Sequence, residues 1–147
     1  MSSFQIIVGS MLGGSEYVAE ACEETLTGLG HQTQLHFQPK LDEIPTENQT
    51  WLICTSTHGA GEFPDNIQAF AADLKNKDLD LSSTRLLTVG IGDSSYDTFC
   101  QAAIKLENLS ISKGCKPITE KCLLDMSQDI DPEALAQAWI SENSDLL

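Results

Sequence analysis

Residues 5–16, Gln-Ile-Ile-Val-Gly-Ser-Met-Leu-Gly-Gly-Ser-Glu, limit the possible folds more than any other stretch. The β-branched run Ile6-Ile7-Val8 suits a strand covered on both faces. From Glu16 onward the period becomes helical. Val18, Cys22, Leu26 and Leu29 fall on one face, and Glu16, Glu20, Glu23 and Glu24 lie largely elsewhere. A strand, a glycine- and serine-bearing loop and a helix in succession point free N–H groups and the positive end of a helix dipole into that loop. Its natural occupant is a phosphate.

What the loop lacks narrows the ligand. A Walker A loop needs a lysine, and the first basic residue of the chain is Lys40. Gly9, Gly13 and Gly14 do not fit the G-x-G-x-x-G dinucleotide fingerprint. The second strand ends His36-Phe37-Gln38, without the acidic residue that would hold a ribose. The loop would therefore bind phosphate through amides and hydroxyls alone.

Later segments repeat the pattern. Gln32–Phe37 alternates as a strand, and 40–49 is a polar connection with at most a short helical turn. Trp51–Thr55 is a buried strand, followed by a loop over 56–63 and a helix opened by Pro64-Asp65-Asn66 with Ile67, Phe70, Ala71 and Leu74 as its apolar stripe. Arg85–Gly92 is another strand, with a loop after it and a helix carrying Phe99, Ala103, Leu106 and Leu109. Lys116–Leu124 reads as a fifth strand, and Asp131-Pro132-Glu133 opens a last helix bearing Leu135, Trp139 and Ile140. Alternating strands and helices predict one α/β domain, a doubly wound parallel sheet with helices on both faces and ligands beyond the carboxyl ends of its strands.

The chain has 147 residues, with 22 acidic against 8 basic and a net charge of −14. Such acidity disfavours nucleic acid and anionic membranes and favours partners with basic faces. The five cysteines form no C-x-x-C pair, no Cys/His spacing suggests a metal site, and no apolar run could span a bilayer. A cytoplasmic protein with reduced structural thiols is expected.

Three strand ends carry unusual loops, 10–15, 56–63 and 93–100. His58 and Tyr96 are placed to sandwich a flat ring whose phosphate tail rests in the first loop. The plain alternatives are a His58 bonded to backbone and a Tyr96 packed on Phe99. In order and spacing, Ser10–Glu16, Ser56-Thr57-x-Gly59-x-Gly61-Glu62 and Gly90-Ile91-Gly92-Asp93-Ser94-Ser95-Tyr96-x-x-Phe99-Cys100 resemble the flavodoxins. With Gly13-Gly14, Ser56–Gly61 and Pro64-Asp65-Asn66, the chain looks most like the short MioC-type flavodoxins.

The resemblance implies a five-stranded sheet in the order 2-1-3-4-5 that binds FMN non-covalently for one-electron transfer. Ser10, Met11, Leu12, Gly13, Gly14 and Ser15 would then hold the phosphate. Ser56, Thr57, His58, Gly59, Ala60, Gly92, Asp93, Tyr96, Phe99 and Cys100 would surround the ring, with Tyr96 on its outer face. The Gly59–Ala60 peptide matches one that in this family can turn its carbonyl toward flavin N5, and glycine accepts both peptide orientations. Three positions depart from the family pattern. Met11 replaces a hydroxyl residue, His58 a larger aromatic ring, and Ala60 a side chain that is often acidic; each predicts looser FMN binding. Glu62, Asp65, Asp93, Asp97, Asp125, Asp129 and Asp131 are expected around the same rim, where they would steer a basic partner.

The implied partners are an NAD(P)H-dependent flavodoxin reductase with a basic docking face as donor and a radical-type biosynthetic enzyme, such as biotin synthase, as acceptor. The carrier itself is expected to be a monomer that does no bond chemistry of its own. Two other readings stand beside it: an FMN-dependent quinone or flavin reductase, and a flavin-free interaction module.

Overall fold

The computed structural model describes residues 2–10, 13–58 and 61–147; Met11, Leu12, Gly59 and Ala60, all expected site residues, lie outside the described residues. The strands are β1 (Ser3–Gly9), β2 (Gln32–His36), β3 (Thr50–Ser56), β4 (Arg85–Gly92), β5 (Lys116–Pro117) and β6 (Cys122–Asp125). The helices are α1 (Gly14–Gly28), α2 (Gln68–Asn76), α3 (Gln101–Ser112) and α4 (Pro132–Glu142). Every strand pairing is parallel, in the order β2-β1-β3-β4-β5, with β6 also on β4.

Period-two alternation splits the core between the two faces of the sheet. Phe4, Ile6 and Val8 of β1, Leu52 and Cys54 of β3, and Leu87 and Val89 of β4 face one cluster with Val18, Cys22 and Leu26 of α1 and Ile140 of α4. Ile7, Trp51, Ile53 and Leu86 face the other with Phe70 and Leu74 of α2 and Leu106 of α3. Each fully buried aliphatic side chain of this kind stabilises the fold by about 1.5–3 kcal/mol. The Trp51 indole N–H, buried with its ring, donates to the Pro45 carbonyl at 3.1 Å.

Several local expectations are corrected. The single strand expected over 116–124 is two short ones: after Ile118, whose N–H donates to the Leu86 carbonyl at 3.0 Å, the chain is held by the flanking helices. The Trp139 indole N–H donates to the Glu120 carbonyl at 3.3 Å, and Lys121 pairs with Glu107 at 3.4 Å. The segment opened by Pro64 starts as a 3-10 turn over Asp65–Ile67, and α2 follows from Gln68. Leu29 and Leu135, placed on apolar stripes by spacing, are 44% and 46% exposed. Leu29 caps α1 rather than packing beneath it. Phe99 precedes α3, since Cys100 at its N-cap has a left-handed φ of 54° that breaks the helical path. No helix among the described residues is long and apolar enough to cross a membrane.

Candidate functional site

The carboxyl ends of β1, β3, β4 and β6 bring together four loops. β1 and β3 meet so tightly there that a Cβ on Gly9 would lie 2.2 Å from the Thr55 hydroxyl oxygen, so only glycine fits. Beyond it the Ser10 N–H donates to the Asn66 side-chain oxygen at 2.8 Å, and the Gly13 N–H donates to Ser10 Oγ at 2.9 Å. Gly13 itself has φ 89°, a left-handed conformation that a branched side chain would strain. α1 starts at Gly14, so its first-turn N–H groups open toward this loop.

Ser15 marks what that helix end is built to hold. Its side chain is 1% exposed, yet Oγ has no hydrogen-bond partner among the described residues. An unpaired buried hydroxyl costs about 1–3 kcal/mol. Beside free helix N–H groups and a left-handed glycine, it fits an anionic oxygen, and the donor set of amides and hydroxyls suits a phosphate.

A cleft of about 410 Å³ lies among the loops after β3, β4 and β6. Ile91, Tyr96, Phe99, Cys100 and Met126 give it apolar walls, and Ser56, Thr57, Gly92, Asp93 and Thr98 supply polar edges. This composition fits a flat, largely apolar ring with polar edges. Tyr96 is 66% exposed at its mouth, in a turn closed by Tyr96 N–H to Asp93 carbonyl at 3.1 Å and Phe99 N–H to Tyr96 carbonyl at 3.2 Å. Gly92 lets the chain turn back on itself: a Cβ there would lie 2.9 Å from the Cys100 backbone nitrogen. The Thr57 hydroxyl accepts the Ala102 N–H at 3.1 Å and so caps α3. His58 is exposed, tied to Glu62 by a pair of 2.8 Å backbone hydrogen bonds, and is not among the residues lining the cleft.

Burial, followed by the nearby Asp125 and Cys122, pushes the Cys100 thiol up to about 12. It therefore stays protonated at neutral pH and forms part of the wall rather than a nucleophile. Burial first, then Cys122, likewise raises Cys22 to about 12. Cys22, fully buried in the core, has the structural role expected of it.

Two residues that the sequence did not mark complete the site. Asn66, in the turn after β3, accepts from Ser10 and donates through Nδ2 to the Val8 carbonyl at 2.8 Å and the Phe37 carbonyl at 2.9 Å. It thereby ties the start of the loop after β1 to the ends of β1 and β2. Met126, 47% exposed in the cleft wall, comes from a fourth loop, and its N–H donates to the Gly92 carbonyl at 2.7 Å. Asp125 joins that loop to the Tyr96 turn, its Oδ1 accepting the Ser94 and Ser127 N–H groups, both at 3.0 Å. Bonds from Ser94 and then Ser127 hold its carboxyl well below the usual carboxylate range. The pairing with Gly92 was readable only as an extra strand after 116; nothing near Asn66 in sequence signals its three distant partners.

The family described as Flavodoxin matches residues 6–139. The chain is 43% identical to the protein MioC homolog of Haemophilus influenzae over 135 residues, 92% of each chain. It is 39% identical to the protein MioC of Escherichia coli over 147 residues, covering 100% of this chain and 99% of that one. Among solved structures, a cysteine-to-alanine mutant of a flavodoxin from Pseudomonas aeruginosa superposes with a TM-score of 0.89 at 29% identity, covering 99% of this chain and 98% of that one. The four-loop rim and the match along nearly the whole chain have one reading: the chain belongs to the flavodoxin family, as a short-chain, MioC-type member.

Proposed function

We propose that this FMN-binding electron carrier shuttles single electrons from a reductase to an acceptor enzyme and has no substrate of its own. The observation that carries the proposal is Ser15, a buried hydroxyl without a partner among the described residues, set in the first turn of α1; an apolar cleft lined by the exposed Tyr96 lies among the loops after β3, β4 and β6. Bound FMN supplies the redox chemistry, taking up and releasing electrons one at a time.

The chain's own residues bind and orient. Ser10, Gly13, Gly14 and Ser15, with Met11 and Leu12, hold the phosphate through amides and hydroxyls. Ser56, Thr57, Gly92, Asp93, Phe99 and Cys100 surround the ring, with His58, Gly59 and Ala60 alongside. Tyr96 covers its outer face and leaves an edge open to a partner. Met126 closes the wall beside Cys100 and limits water. Acidic side chains beyond the strand ends, among them Glu62, Asp93, Asp97, Asp125 and Asp129, draw in basic docking faces. The donor in this reading is an NAD(P)H-dependent flavodoxin reductase, the acceptor a radical-type biosynthetic enzyme such as biotin synthase, and the carrier acts as a cytoplasmic monomer.

The test is FMN titration into flavin-free protein, followed by flavin and tryptophan fluorescence, alongside Tyr96→Ala and Gly13→Val. One-to-one saturable binding, weakened by both substitutions, is the expected result. Absence of saturable binding would overturn the reading.

A further inference from the structure

A groove of about 410 Å³ lies between α2 and α3, on the sheet face opposite α1 and α4, and is lined by Phe63, Lys75, Lys105, Asn108, Leu109 and Ser112. Residues 105, 108, 109 and 112 stand at i, i+3, i+4 and i+7 of α3 and so form one stripe, with Lys75 of the last α2 turn across from it. Phe63 and Leu109 are half-buried and pack on the core beneath, which gives the groove an apolar floor. It shares no residue with the cleft after β3, β4 and β6.

Its charge runs against the chain. Acidic residues outnumber basic ones by 22 to 8, yet no carboxylate lines this groove and two lysines do. The groove beside α1 has the ordinary sign, with Glu20, Glu23, Glu24 and Glu133 on its walls. Neither Lys75 nor Lys105 takes part in an ion pair among the described residues. The Lys105 ammonium donates to the Gly61 carbonyl at 2.7 Å, which anchors it and leaves it further N–H donors to offer. Exposed charges elsewhere on the chain are screened beyond about 8–10 Å at physiological salt, so an anion in the groove answers first to these two lysines.

We propose that the α2–α3 groove binds a small organic anion, a carboxylate carried on an apolar alkyl or aryl body. The body lies on Phe63 and Leu109, and Lys75 and Lys105 take the carboxylate, with the exposed Asn108 and Ser112 able to add hydrogen bonds. Charge complementarity selects this occupant: a neutral apolar molecule leaves both ammonium groups unanswered, and a cation is repelled. The volume stands at the lower end of the range for small-molecule sites, about 300–1,000 Å³, and suits a compact ligand rather than a length of another chain. Nothing in this assignment depends on FMN.

The test uses octanoate, 1-octanol and octylammonium, alike in chain and different in head-group charge, titrated into the isotope-labelled protein with amide shifts followed by NMR. Octanoate should bind saturably and move the amides of 105–112 and Lys75. 1-Octanol should bind about fivefold more weakly, the scale of an exposed ion pair, and octylammonium more weakly still. Lys75→Glu should weaken octanoate about tenfold and leave 1-octanol unchanged, and Lys75→Arg should restore octanoate. Asn108→Trp, which sets a ring across the groove, should weaken both. Residues 75 and 108 are exposed helix positions, so these variants should fold. 1-Octanol binding as tightly as octanoate would overturn the anion assignment. Shifts confined to cleft residues such as Tyr96 and Met126, or no saturable octanoate binding, would overturn the site. Groove shifts that appear only on raising protein concentration at low salt would give the face to a second copy of the chain and overturn the small-anion assignment.

Discussion

Asn66 holds Ser10 from a different loop: its side-chain oxygen accepts the Ser10 backbone N–H at 2.8 Å across 56 residues of sequence. The same amide group donates to the Val8 and Phe37 carbonyls, so both its oxygen and its NH2 group are engaged. The start of the loop after β1 is thus held by the turn after β3.

Asn66→Ala leaves one donor and two acceptors without that side chain. A loss of about 1–3 kcal/mol in stability is expected, together with weaker FMN binding. Asn66→Asp keeps the acceptor for Ser10 but sets a carboxylate against two carbonyls, so it should be no better. Urea unfolding paired with FMN titration checks both; a full-strength FMN site in Asn66→Ala would contradict the assignment.

Ser15→Ala should act in opposite directions on the two properties. Removing a buried hydroxyl that has no partner among the described residues should leave the flavin-free protein as stable or up to about 1–2 kcal/mol more stable. FMN should nevertheless bind about tenfold more weakly, through loss of a donor to the phosphate. Thermal unfolding without and with FMN separates the two effects; a substitution that leaves FMN affinity untouched would remove Ser15 from the site.

The Asp125 clamp sets a pH dependence with a defined sign. Its folded-state carboxyl lies below the ordinary value because the Ser94 and Ser127 groups bond the ionised form. A lowered carboxylate stabilises the fold above its unfolded pKa, near about 4, and that contribution is lost as pH falls below this toward the folded value. Asp125→Asn lacks the contribution. Its stability deficit should be full at neutral pH and shrink as the solution is acidified through that window. Urea midpoints measured at several pH values test this, and a deficit independent of pH would contradict it.

Electron exchange with a basic partner should slow as ionic strength rises, by about tenfold or more between low and high salt, because screening shortens the reach of the acidic rim. Stopped-flow reduction by a flavodoxin reductase at graded salt is the measurement. Rates flat across the range would remove the steering role assigned to Asp93, Asp97 and their neighbours.

Much of this architecture is local enough to read from the chain. Ile6–Val8, the period change at Glu16 and the Asp131-Pro132 cap predict β1, α1 and α4 directly, and Asp131 Oδ1 does accept the Ala134 N–H at 3.1 Å. The strand order came through resemblance, since periodicity carries no information about which strands pair. What stayed illegible depends on distant partners. Asn66 reads as a helix-opening residue until Val8, Ser10 and Phe37 are brought beside it. Met126 reads as an ordinary apolar residue until β6 pairs with β4 and aims it at the cleft. Phe99 keeps helical spacing with Ala103 and Leu106, and only the left-handed Cys100 excludes it from α3.

The break between β5 and β6 affects more than the local ladder. A straight, uninterrupted border strand offers its unpaired N–H and C=O groups as a template on which another chain can lay itself. Here that border is cut into a two-residue and a four-residue piece. Pro117 removes one donor, and Lys116 and Lys121 add charge along the margin. This border of the sheet therefore offers little template for a further strand, whereas the opposite border is the unbroken β2.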